Sequence, residues 1–195
     1  MRTRLTTEQR RAQLLEIGAE VFARQPYDKV SIEDIADRAR VSHGLLYRYF
    51  PSKKAFFAAI IEAEGAHLLR ASSPDPALSP LDQIRAGLDV YIAQAERSPA
   101  AYRMAHQTHS SDEHLASTHK ARSMIQRDRI LNSLRAIIHT NSETPLAVTA
   151  WLGFVQTAIL NWIDNPSISR QQLSDLCIRA LSASVKLPNA TKGLP

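Results

Sequence analysis

Between Ser31 and Lys54 the chain reads SIEDIADRARVSHGLLYRYFPSKK, and that spacing admits few folds. Ile32, Ile35, Ala36 and Ala39 fall at i, i+3, i+4 and i+7, which predicts a short helix burying one face. Ser31 caps it, with Asp34 three residues on as a short-acid variant of the capping box. Arg40-Val41 makes the turn. Ser42 caps a second helix that buries Leu46 and Phe50 and leaves Ser42, His43, Gly44, Leu45, Tyr47, Arg48 and Tyr49 largely outward. Phe50-Pro51 ends it, because a residue before proline is pushed out of the helical region. Ser52 caps the next helix, with Lys53 and Lys54 in its first turn. Lysines oppose the helix dipole there, unless an anion sits at the helix start. Two short helices, a tight turn and flanking cations suit a recognition helix lying in the DNA major groove.

The remaining punctuation is helical throughout. Thr6 and Gln9 make a capping box for a first helix with the stripe Leu14, Leu15, Ile17, Val21 and Phe22, in which Gly18 permits close packing. Arg2 and Arg4 lie on a short arm before it. Val30, Ile32, Ile35, Val41, Leu46 and Phe50 are expected to close the core of a three-helix head. A fourth helix runs from Lys53 to about Arg70, and Ser72-Ser73-Pro74-Asp75-Pro76 breaks the chain after it. Ser79-Pro80, Ser98-Pro99 and Thr144-Pro145 each place a capping residue before a proline at the first helical position. Ser110 with Glu113, and Ser169 with Gln172, are further capping boxes. The eighth helix, Pro145 to Asp164, is apolar on more than one face, which predicts burial on several sides. No strand pattern occurs. The expected fold is all-α, with a helix-turn-helix domain over residues 1–54 and a helical domain over 55–195.

Charge is distributed to match. Residues 1–54 carry 11 Lys and Arg against 7 Asp and Glu; residues 55–195 carry 13 against 12. The basic excess lies where a nucleic-acid contact would need it, although a solvated basic face has the same composition. Phosphate-loop, dinucleotide-glycine and nucleophile-elbow patterns are absent, so no enzyme, catalytic residue or cofactor is expected. The lone Cys177 sits on an apolar stripe and reads as a small buried hydrophobe. His106, His109, His114 and His119, near Asp112 and Glu113, lack metal-site spacing, and no metal is expected. The N-terminus has no signal-peptide core and no stretch reaches the length of a membrane span, so a cytoplasmic protein without a membrane partner is expected.

Ile35-Ala36, Val41-Ser42, Gly44, Leu46-Tyr47, Tyr49-Phe50 and Ser52-Lys53 together resemble the helix-turn-helix signature of the TetR family of bacterial transcriptional regulators. The motif match spans Ser31 to about Phe57; the rest agrees in length and helical pattern. Arg40 departs from it, because the family commonly has glycine at that turn. The resemblance implies that Ser42, His43, Gly44 and Leu45 face base edges. It implies that Tyr47, Tyr49 and Lys53 hold phosphates, with Ser31 helping and Arg48 able to do either. Tyr47 packing within the head is the competing reading.

The same resemblance implies a homodimer, a double-stranded DNA operator and a small-molecule effector. Candidate effector walls are Tyr91, Tyr102, Met104, Gln107, Met124, Trp151, Phe154 and Asn161, suited to a mainly apolar ligand. Candidate dimer residues are Leu152, Val155, Ile159, Leu173, Leu176, Ala180 and Leu181 on the last two helices, which carry more apolar surface than a small bundle needs; ordinary core packing would use the same residues. The expected function is a repressor released from a palindromic operator by its effector. The alternative is an architectural DNA-binding protein whose bundle only dimerises.

Overall fold

The computed structural model describes residues 5–108 and 113–187. Within them the elements are α1 (Thr7–Arg24), a 3-10 turn (Tyr27–Lys29), α2 (Ile32–Arg38), α3 (His43–Tyr49) and α4 (Lys53–Ala71), then α5 (Pro80–Arg97), α6 (Pro99–Thr108), α7 (Glu113–Arg135), α8 (Thr144–Asp164) and α9 (Arg170–Val185). No strand occurs among the described residues. Arg2, Arg4 and Ser110 lie outside them. The chain divides into two compact units, Met1–His67 with Ser98–Ala116, and Leu68–Arg97 with Ser117–Pro195.

The first unit is built on caps and aromatic packing. The Thr6 hydroxyl accepts from Gln9 N–H at 3.1 Å, and Thr6 N–H donates to Gln9 Oε1 at 2.9 Å, closing the capping box of α1. Leu14, Val21, Phe22, Ile35, Leu46, Phe50, Phe56 and Phe57 are buried together. Ring centroids lie 4.9 Å apart for Phe22 and Phe57 and 4.6 Å apart for Phe50 and Phe56. Such pairs add about 0.5–1.5 kcal/mol beyond their area burial. Val41 is only partly buried but packs against the same cluster. Gly18 has a steric reason: a Cβ there would stand 2.5 Å from Phe56 Cζ and 2.7 Å from Ile60 Cδ1.

In the second unit α8 packs along α9, and α5 packs on both. Val148, Trp151, Val155 and Ile159 form the buried stripe of α8; Leu173, Cys177, Ile178 and Leu181 form that of α9. Trp151 Nε1 donates to the Cys177 carbonyl at 2.7 Å, so the indole's polar edge is satisfied across the helix pair. Trp162 Nε1 does the same with Ile168 O. Arg85 of α5 pairs with Asp175 of α9. Burial pushes the Cys177 thiol up to about 11.

Three expectations need correction. Thr144 is not the cap of α8 but its first residue. The cap is supplied by Asn141, whose Oδ1 accepts from Glu143 N–H at 3.0 Å and Thr144 N–H at 3.1 Å, and the buried Thr144 hydroxyl donates to the same oxygen. Second, α8 is long and apolar enough to cross a membrane by length and composition, contrary to the expectation that no stretch reaches that length. Third, α8 is buried on one side only. Leu146 is 72% exposed, Phe154 40% and, on α9, Leu176 37%.

Candidate nucleic-acid interface

The helix-turn-helix is held by its caps. The Ser31 hydroxyl accepts from Asp34 N–H at 3.1 Å, and the acid it engages is Glu33, not Asp34, through a 2.9 Å bond from Ser31 Oγ to Glu33 Oε2. Ser42 Oγ accepts from Leu45 N–H at 3.2 Å and starts α3. Ser52 Oγ accepts from Ala55 N–H at 3.1 Å and starts α4. Between α2 and α3, Val41 N–H reaches back to Ala36 O and Arg40 N–H to Asp37 O, each at 3.0 Å. These two bonds terminate α2 in the manner that normally uses a left-handed glycine. Arg40 adopts that conformation, with φ 54°, so the departure from the family's glycine keeps the turn and stores backbone strain.

This turn sets α3 with Leu46 fully buried and Ser42, His43, Gly44, Tyr47 and Arg48 exposed, while Leu45 and Tyr49 are half-buried. Tyr49 packs against the head cluster with its ring 6.3 Å from Phe50. A Cβ on Gly44 would meet nothing within 4 Å. The protein itself therefore has no need of glycine there, although an exposed helical glycine costs about 1 kcal/mol relative to alanine. Lys53 Nζ lies over the Tyr27 ring, 4.6 Å from its centroid, which fixes the ammonium near the start of α4. Burial raises the Tyr27 pKa, with Asp28 adding to it and Lys54 opposing. His43 Nε2 stands 3.6 Å from Asp37 Oδ1. Sequence reasoning missed Tyr27, Glu33 and Asp37 as neighbours of the reading side chains.

Residues 14–60 match the family model described as bacterial regulatory proteins, tetR family. Over those residues the chain is similar to the TetR family. It is 31% identical over 108 residues to the HTH-type transcriptional activator FasR of Mycolicibacterium smegmatis, covering 52% of this chain and 47% of that protein. It is 27% identical over 92 residues to the HTH-type transcriptional repressor KstR of Rhodococcus jostii, covering 47% and 43%. The chain thus spans about half the length of the curated relatives it matches. A tetR-family regulator from Streptomyces coelicolor superposes with a TM-score of 0.78 at 21% identity, covering 89% of this chain and 81% of that one. The described residues are all-α, with a helix-turn-helix head and a helical remainder, and this fold is shared with that solved structure.

The effector walls nominated from sequence are divided between the two units. In the second unit Met124 is 46% exposed, Phe154 is exposed, and Asn161 is exposed with its amide donated to Thr157 O. Trp151 is buried between helices. Tyr102, in the first unit, packs its ring at a tilt against His106, with centroids 4.4 Å apart. The side chains of Met104 and Gln107 lie outside the described residues. A cleft of about 390 Å³ elsewhere in the second unit is lined by Ile137, His139, Glu143, Ser184 and Lys186 among others, and by none of the nominated walls. Tyr91 is half-buried beside polar groups. Burial raises its hydroxyl's pKa, while a hydrogen bond with Ser72 and the charges of Arg122 and Arg129 pull the other way. Gln126 Oε1, on α7 in the same unit, is buried without a hydrogen-bond partner among the described residues.

The nominated dimer residues also divide. Val155, Ile159, Leu173 and Leu181 are buried in the chain's own core and offer no surface to a second copy. Leu152 and Ala180 are half-buried, and Leu176 is exposed. The outward face of α8 instead presents Leu146, Ala150, Gly153, Phe154 and Thr157. His109 and Asp112 lie outside the described residues, and His114 pairs with Glu62.

Proposed function

We propose that this chain is a dimeric, DNA-binding transcriptional regulator. The observation that carries the reading is the outward face of α3: Ser42, His43, Gly44, Tyr47 and Arg48 are exposed on a helix whose other side is locked into the head. In this proposal α3 enters the major groove, His43 and Leu45 meet base edges, and Gly44 lets the helix backbone approach. Lys53, Tyr47, Tyr49 and Ser31 hold phosphates, and Arg48 serves either surface. Two heads on a near-palindrome would lie about 34 Å apart or slightly more.

The dimer forms through the exposed apolar faces of α8 and α9. Gly153 supports this: a Cβ there would meet nothing within 4 Å, so its use in a helix interior fits close approach by a second copy. Repression follows where the operator overlaps a promoter; operator position, not the chain, sets the sign. A small effector binds in the second unit near Tyr91 and the unsatisfied Gln126 oxygen. It acts only through its differential affinity for two arrangements of the dimer.

Selection of bound fragments from random duplex DNA at near-physiological salt tests the reading. A recovered palindrome supports it. Uniform recovery that disappears as salt rises removes the operator and leaves an architectural protein. On the recovered duplex, Lys53→Ala is expected to weaken binding to all sequences and reduce the salt slope by about 1.

A further inference from the structure

Two of the side chains assigned to phosphate and base contacts, Ser31 and His43, already have partners within the head, and those partners are acids. Ser31 Oγ donates to Glu33 Oε2 at 2.9 Å. The Glu33 carboxyl is held below its ordinary value, by its own backbone N–H and by Ser31 first, with His43 and Tyr47 adding less. One turn along α2, Asp37 Oδ1 faces His43 Nε2 at 3.6 Å. Glu33 and Asp37 are an i, i+4 pair on α2, and His43 and Tyr47 are an i, i+4 pair on α3. The two pairs therefore lie along neighbouring sides of α2 and α3, and Asp37 with His43 is the contact between them. Glu33 and Asp37 are both exposed, so neither is there to fill the core.

The proton count makes this arrangement consequential. An ionised carboxylate only accepts hydrogen bonds, and each hydroxyl has one proton to donate. Ser31 therefore gives its proton to Glu33. A phosphate oxygen is likewise only an acceptor. The Ser31 hydroxyl cannot donate to a phosphate while it holds Glu33.

We propose that Glu33, seconded by Asp37, is an intramolecular competitor anion for DNA: Glu33 holds the Ser31 hydroxyl and Asp37 faces the His43 imidazole, and the Glu33 carboxylate is exchanged for phosphate on binding. This rests on the DNA-binding reading above. Replacing one anion by another gains little, and the displaced carboxylate stays beside a polyanion. The sequence-independent part of the affinity, which comes from phosphate contacts, is thereby held down. A head with these acids stays off random duplex at salt concentrations where its cations alone would retain it.

The test is Glu33→Gln in the full chain, titrated with a random-sequence duplex and with a duplex recovered by selection, across a salt series. The neutral amide no longer competes as an anion. Binding is expected to strengthen by about tenfold at 50 mM salt and about threefold at 200 mM, a slope steeper by about one phosphate contact. The gain is expected on both duplexes, because phosphates carry no sequence. Glu33→Asp keeps the charge and is expected to keep the wild-type slope. Glu33 also lies in the first turn of α2, where an acid favours the helix. A merely structural role would make Glu33→Gln bind more weakly, in step with a lowered thermal midpoint. Unchanged or weaker binding with an unchanged slope overturns the proposal. A wild-type chain that binds no duplex at any salt overturns it together with the DNA-binding reading, whereas wild-type binding with an unresponsive variant overturns the proposal alone.

Discussion

The head and the α8–α9 layer treat their apolar residues differently. In the head Phe22, Phe50, Phe56 and Phe57 are all buried against one another, and the exposed side of α3 carries hydroxyl, imidazole and guanidinium groups. The α8–α9 layer buries one stripe of each helix and leaves Leu146, Phe154 and Leu176 in water. The glycines repeat the contrast. Gly18 is required by Phe56 and Ile60 of its own unit, whereas Gly44 and Gly153 would tolerate a Cβ as far as this chain is concerned. The head is complete in itself and offers polar chemistry outward. The α8–α9 layer has an apolar surface still to be covered, and both unexplained glycines lie where a partner is proposed.

The largest effect is expected on that uncovered surface. Phe154→Glu should leave the chain folded and turn the dimer into a monomer, weakening association by about 100-fold or more, since the charge enters a two-fold interface twice. Sedimentation equilibrium reads this, and a persistent dimer would show that the face is not the interface. In the head, Gly18→Ala should destabilise by about 1–3 kcal/mol through overpacking against Phe56, outweighing the roughly 1 kcal/mol that alanine gains over glycine in a helix. Urea unfolding measures it; a stabilised variant would mean that the head core is looser than its contacts. Arg40→Gly should act in the opposite direction and stabilise by about 1 kcal/mol, by relieving the left-handed arginine.

The smallest effect belongs to Asp175. The hydrogen bond from Arg85 holds its carboxyl below the ordinary value of 3.8, against the opposing effect of burial and with Gln171 and the charges of Arg85 and Arg179 helping. A lowered folded value means stability that is present above the ordinary carboxylate range and is lost as pH falls through the folded value. Asp175→Asn should therefore cost under about 1 kcal/mol at neutral pH, because the pair is partly exposed, and the deficit should close in acid. A deficit independent of pH would point to packing.

What could be read from the sequence followed from local physics. The bonds from Thr6, Ser42 and Ser169 to N–H groups three residues on, and the burial of Ile35 and Leu46, depend only on spacing along the chain. The departures are long-range or depend on a neighbouring choice. Asn141 supplanted Thr144 as a cap because its amide oxygen reaches two N–H groups at once. Trp151 was drawn into the core because Cys177 O, 26 residues away, receives its indole N–H; no periodicity reports such a bond. The apolar character of α8 was plain, but which side its own chain would cover was not. The spacings of Glu33 with Asp37 and of His43 with Tyr47 were legible as two helical pairs. That they face each other depends on the angle set by the Arg40 turn.

Cys177 has a practical consequence. It is the chain's single cysteine, fully buried, and held as a neutral thiol at physiological pH by its raised pKa. Thiol reagents need an accessible thiolate, so the natural sequence is already a silent background for labelling. A cysteine introduced at the exposed Glu20 on α1 would be the one reactive site per chain. In a dimer it would place two identical probes, one on each head, and their separation in free and DNA-bound protein becomes a ruler for the regulatory motion.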